Sequence, residues 1–176
     1  MRLSFLMALA AWIFAAAPVR AGDLECVWRE FPAETRALFT HNVNSGEDIR
    51  VVLTGGQLTE EVVVGPMQRC GVAESEAVLL GQYITARGLA LALRNKMMID
   101  YGLHESQITG LLSYVTPVDR ALVVQVTNGE AQPTQETVDR FIRGAEAQGF
   151  ARTDQAAIRM AVEYIYAQIM VEHLAP

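Results

Sequence analysis

The sequence predicts an all-α fold, a compact bundle of about six or seven helices stapled by one disulfide. Three observations carry that prediction. Apolar residues recur at helical spacing over most of the chain. Capping residues and first-turn acids precede these runs, and Gly or Asn follows them. Of 176 residues, 51% are apolar and 19% charged, which suits one core of ordinary size and is too apolar for a disordered chain.

Residues 1–21 read as a cleaved signal peptide, and 22–176 as a single globular helical domain. Arg2 supplies the positive start. Leu3 to Ala17 is an apolar run broken only by Ser4, and Pro18 ends it. Val19-Arg20-Ala21 presents the cleavage pattern, so the cut is expected between Ala21 and Gly22. The run is short for a membrane span of about 20 residues. Cys26 follows the bulky acid Glu25, where a lipid-anchored protein carries a small residue. A periplasmic or secreted location is therefore expected, with no transmembrane anchor after cleavage. The longest later apolar stretch, Ala77 to Leu93, contains Gln82, Thr85 and Arg87, which are costly in lipid.

Only Cys26 and Cys70 are present. In an exported domain such a pair is expected to form one disulfide. Closing a loop of this length removes about 4 kcal/mol of chain entropy from the unfolded state. Redox-active pairs usually stand two residues apart, and a thiolate metal site needs more ligands than this spacing offers.

The helices follow in order. Phe31-Pro32-Ala33-Glu34 opens one that carries Ala37 and Leu38 and reaches toward His41, with Asn42 or Asn44 as its end. Ser45-Gly46-Glu47-Asp48 resembles a capping box before Ile49, Val52 and Leu53, and Gly55-Gly56 stops that segment. Thr59-Glu60-Glu61 opens the next, in which Gly65-Pro66 should produce a kink or break before Gly71. The stretch 49–64 also fits a β-hairpin about Gly55-Gly56, so a minor hairpin is the alternative there.

Glu74-Ser75-Glu76 begins the longest helix, expected to reach Tyr101 and stop at Gly102, with Gly81 and Gly88 allowing close packing inside it. Glu105-Ser106 starts a short helix through Leu111-Leu112. Thr116-Pro117-Val118-Asp119 combines a cap, a first-turn proline and an acid three residues on. Pro133-Thr134-Gln135-Glu136 opens a helix with Val138, Phe141, Ile142 and Ala145 on one face, ended by Gly149. Thr153-Asp154 caps the last helix. In it, Gln155, Arg159 and Glu163 form a narrow polar strip, with apolar residues over most of the circumference. It and the long helix should therefore be central.

The formal net charge of −6 and the lack of a basic cluster speak against nucleic acid as partner. No phosphate-binding glycine loop, His-Glu-x-x-His, calcium loop or Gly-x-Ser-x-Gly elbow occurs. No catalytic, cofactor-binding or metal residues are assigned. His41, His104 and His173 stand in separate elements, and His41 and His173 read as surface or satisfied histidines. Met67, Met97, Met98, Met160 and Met170 read as core. Trp28 is expected to cover the disulfide.

Three residues remain as pocket candidates. Arg87 lies midway along an apolar helix, where an unpaired charge is expensive. It reads as a structural pair with an acid such as Glu163 or as a long side chain reaching water, with an anion or carboxylate anchor in a pocket between helices as the functional alternative. Glu105 is the third. His104-Glu105-Ser106 with Gly110-Leu111-Leu112-Ser113 resembles in outline the helix-borne Glu-Ser and the Gly-Leu-Met-Gln segment of lytic transglycosylases. That resemblance implies Glu105 as an acid protonating a glycosidic oxygen. The gap is shorter here and Leu-Ser replaces Met-Gln, so Glu105 reads instead as a first-turn acid favourable to the helix dipole.

The expected function is that of a non-catalytic binding module whose partner is a protein or cell-envelope component. Small exported helical bundles of this kind include stress chaperones, enzyme inhibitors and immunity proteins. The alternative is a cell-wall or lipid hydrolase with dispersed catalytic residues.

Overall fold

The computed structural model describes residues 23–39, 51–52 and 58–175. The expected signal peptide and its Ala21/Gly22 cut lie outside these residues, as do His41, Asn42, Asn44, the Ser45–Asp48 segment and Gly55-Gly56. Eight α-helices are found among the described residues: α1 (Leu24–Glu30), α2 (Ala33–Leu38), α3 (Glu60–Arg69), α4 (Ala77–Tyr101), α5 (Glu105–Gly110), α6 (Pro117–Thr127), α7 (Gln135–Ala147) and α8 (Gln155–Leu174). Single 3-10 turns at Glu74–Glu76 and Leu111–Tyr114 lead into α4 and follow α5. No strand occurs among the described residues. Val51 and Val52 are helical and Glu60–Val64 belongs to α3, which replaces the hairpin alternative.

The starts of the helices are the expected ones. Side chains of Thr59, Thr116, Thr134 and Asp154 accept the N–H groups of Val62, Asp119, Thr137 and Ala157, satisfying donors that a helix leaves orphaned. At Gly102, φ of 65° supplies the left-handed turn that ends α4. Gly88 matters for packing instead: a Cβ there would sit 2.9 Å from Phe39 Cδ1, so only glycine lets α4 meet that ring without a shift.

Two features differ from expectation. Pro66 does not break α3 but lies inside it. Its missing N–H leaves the Val62 carbonyl without the usual donor, a cost of about 3 kcal/mol for an interior proline. Val63 and Met67, on the same face as Pro66, are buried with it. Each such burial contributes roughly 1.5–3 kcal/mol, enough to offset that cost. The second feature is α1 itself. Leu24, Val27, Trp28 and Phe31 recur at helical spacing and all four are buried, so this segment is an amphipathic helix. Trp28 packs against the rings of Phe31 and Phe39, with centroids 6.1 and 5.5 Å away.

The chain folds around α4 and α8, which pack on each other more extensively than any other two elements. Two apolar clusters meet along this pair. The first gathers α1, Phe39, Leu58, α3 and the N-terminal part of α4 around Met170, Val171 and Leu174 of α8. The second gathers α4 from Ala90 onward with Ile108, Leu111, Val123, Phe141 and most of α8. Cys26 and Cys70, their Cα atoms 5.7 Å apart, join α1 to the end of α3. Met67, Met97, Met160 and Met170 are core residues as expected, whereas Met98 is exposed.

The outlying helices α6 and α7 are tied by one buried acid. Asp119 is 1% exposed. Its Oδ2 accepts the Thr116 N–H at 2.9 Å and the Thr116 hydroxyl at 2.7 Å, and Oδ1 accepts the Thr137 hydroxyl at 2.8 Å. Arg140 Nε lies 3.0 Å from Oδ2 as an ion pair. Desolvation pushes this carboxyl up, but the bonds from Thr116 and Thr137 and the Arg140 charge outweigh it and hold it below its ordinary value. A depressed acid stabilises the fold above its unfolded value of about 4, and the contribution fades as pH falls through the folded value. Asp119→Ala should therefore lower the unfolding free energy by roughly 3 kcal/mol at pH 7. Urea titrations at pH 7 and pH 3 check this, and the gap between variant and wild type should narrow at the lower pH.

Candidate functional site

Helix α4 carries three polar side chains, Tyr83, Arg87 and Arg94, along one face, because four and seven residues are close to whole turns. Each is held by an acid from an element packed beside it. Tyr83 is fully buried, and its hydroxyl donates a hydrogen bond to Glu25 Oε2 of α1. Arg87 Nη2 lies 3.3 Å from Glu25 Oε1. Arg94 Nε donates to both carboxylate oxygens of Glu105 at the start of α5, at 3.0 and 2.8 Å, and its Nη2 lies 2.6 Å from Oε2.

The three pocket candidates thus have different partners. Arg87 does not pair with Glu163. Its acid is Glu25, one residue before Cys26 in the sequence. The Arg87 guanidinium is not fully satisfied: its buried Nε has no hydrogen-bond partner among the described residues. Glu105 is exposed and forms a bidentate pair with Arg94, a favourable geometry for a guanidinium and a carboxylate. Glu163 is half-buried on α8. Desolvation pushes its carboxyl up, opposed by the charge of Arg159 one turn earlier.

Tyr164 of α8 lies within electrostatic reach of these charges. It is buried, and burial raises its phenol, with further upward pressure from Glu105 and an opposing effect from Arg94 and Arg87. His104, the N-cap of α5, and His173, in the last turn of α8, are exposed. The His104 N–H donates to Gln107 Oε1, and Gln107 Nε2 donates to the Gln148 carbonyl, both at 3.0 Å, which anchors α5 to the end of α7. No group of three His, Cys, Asp or Glu suited to a metal ion occurs among the described residues. No described helix is long and apolar enough to cross a membrane.

The other feature of this region is apolar. At the C-terminal end of α4, Met98, Ile99 and Tyr101 are exposed, Ile99 to 80%. Tyr101 leans on the ring of Phe150, 5.6 Å away.

Glu25 and Arg94 are the members of this array that sequence reasoning missed. Glu25 becomes visible once Leu24, Val27, Trp28 and Phe31 are read as a helix face, because it then occupies the first turn of that helix. Arg94 carries a weaker signal: it lies two turns beyond Arg87 on the same helix face. No family model matches this chain, and no curated protein or solved structure matches it.

Tyr83 gives the array a measurable signature. Burial, then the bond to Glu25 and its charge, push the phenol well above its ordinary value. A raised phenol stabilises the fold below its unfolded value of about 10, and the contribution is lost as pH rises through the folded value. Tyr83→Phe should cost about 1–2 kcal/mol at pH 7 by leaving Glu25 without its hydroxyl donor. It should also make the loss of stability above pH ~10 shallower, as followed by denaturant midpoints between pH 8 and 11.5.

Proposed function

We propose that this protein is a non-catalytic binding module of the cell envelope, exported to the periplasm or medium, whose partner is a protein or envelope component. The observation that carries this reading is how its conspicuous charges are engaged. Arg87, Arg94, Glu25 and Glu105 are committed to pairs that hold helices together. A glycosidic general acid is kept protonated by an apolar pocket, whereas Glu105 is exposed and shared with a guanidinium. The disulfide suits an oxidising compartment. The exposed Met98, Ile99 and Tyr101 add apolar contact surface at the end of α4.

The test pairs binding with turnover. The oxidised protein is titrated against purified envelope, and the same mixtures are assayed for soluble wall fragments and free fatty acids. Saturable retention without product release is expected, with Glu105→Gln and Glu163→Gln retained as well as wild type. Release of either product, abolished by one of these substitutions, would replace the binding reading with the hydrolase reading.

A further inference from the structure

The two apolar clusters divide the chain unevenly. In the first, Val27, Trp28, Phe31, Phe39, Leu58, Val63 and Met67 all lie inside the covalent loop that Cys26 and Cys70 close. They rest on Leu80 and Ile84 of α4 and on Met170, Val171 and Leu174 of α8. In the second, every buried member lies at or beyond Ala90. Partly buried Leu89 and Val124 touch both. The described part of the loop is thus a layer laid on one end of the α4–α8 pair, and the other cluster draws no buried residue from that part.

Among the described residues, α1 is fastened by the disulfide to the end of α3, the Glu30–Arg69 pair to α3 at 2.9 Å, the Arg36 bonds to the Arg29 and Phe31 carbonyls at 2.6 and 3.0 Å, and the Glu25 contacts to Tyr83 and Arg87. Both cysteines are only half-buried, so a small thiol can approach them.

We propose that the Cys26–Cys70 disulfide is a redox latch on this N-terminal layer: oxidised, it holds the layer closed, and a dithiol reductant opens it. One thiolate of the dithiol attacks a cysteine sulfur, the S–S bond breaks, and the second thiolate resolves the mixed disulfide. The dithiol leaves oxidised by two electrons, and Cys26 and Cys70 each take up a proton as free thiols. Opening frees the loop from its closure constraint and uncovers the apolar face made by Leu80, Ile84, Met170, Val171 and Leu174. The second cluster, which takes no buried residue from the described part of the loop, stays folded. The device therefore distinguishes oxidising from reducing surroundings by exposing one defined surface instead of unfolding the chain.

Hydrogen exchange read by mass spectrometry on the full chain tests this, with and without dithiothreitol, after mass labelling shows that both thiols have formed. Reduction should speed exchange between about ten- and a thousandfold in α1, α3 and the first three turns of α4, as loss of the loop constraint allows. Exchange in α6, α7 and the Ala157–Ile169 part of α8 should not change. A Cys26→Ser/Cys70→Ser double variant should reproduce that pattern without reductant. The latch is overturned if both regions lose protection together, if neither changes once the thiols are free, or if the disulfide of the folded protein resists the dithiol. A double variant that fails to fold at all also overturns it.

Discussion

Everything in this structure depends on α4 lying against α8. Neither helix has the usual single apolar stripe, and each buries residues around most of its circumference. Such helices cannot stand at a surface, so each needs the other and a shell of further elements around both. The shell comes in two parts. The disulfide-closed layer covers one end of the pair, and α5, α6 and α7 cover the rest. Glycine at position 88 lets the Phe39 ring of that layer seat directly on α4, and glycine at 144 does the same for Tyr114 against α7.

This arrangement also decides where charge can go. A helix buried over most of its surface has little water to offer Arg87 or Tyr83, and an isolated ion there would be costly. The outer helices supply the compensation. Glu25 reaches in from α1 and Glu105 from α5, so the acids that satisfy α4 also fix the positions of those two helices. Asp119 does the same between α6 and α7 through Thr137 and Arg140. The polar groups of this bundle act as registration points between helices.

Much of this was legible in the residues, for local reasons. Thr59, Thr116, Thr134 and Asp154 cap the helices that follow them because their side chains reach N–H groups three residues away. The encircling apolar pattern of α8 and of Ala77–Leu93 marked both as central. The failures have physical causes too. The interior Pro66 survives because tertiary burial of Val63 and Met67 outweighs a local preference. Helix α1 is hard to recognise in the sequence because its apolar face begins immediately after the expected export signal. The partner of Arg87 was not legible: nothing local joins positions 25 and 87, and only the packing of α1 on α4 brings Glu25 rather than Glu163 to the guanidinium. Met98 reads as core from its type, yet in the last turn of α4 its side chain is exposed.

The measurement closest to the central claim is native-state hydrogen exchange on the oxidised protein at low denaturant, resolved by residue. If the α4–α8 pair is what the remaining elements depend on, the slowest amides lie at Leu93–Met97 and Ala161–Ile169. They should exchange only through global unfolding, while α1, α3, α5 and α7 open at lower free energy. Finding the last protected amides in α7 or in the disulfide-closed layer, with α4 or α8 opening before them, would contradict it.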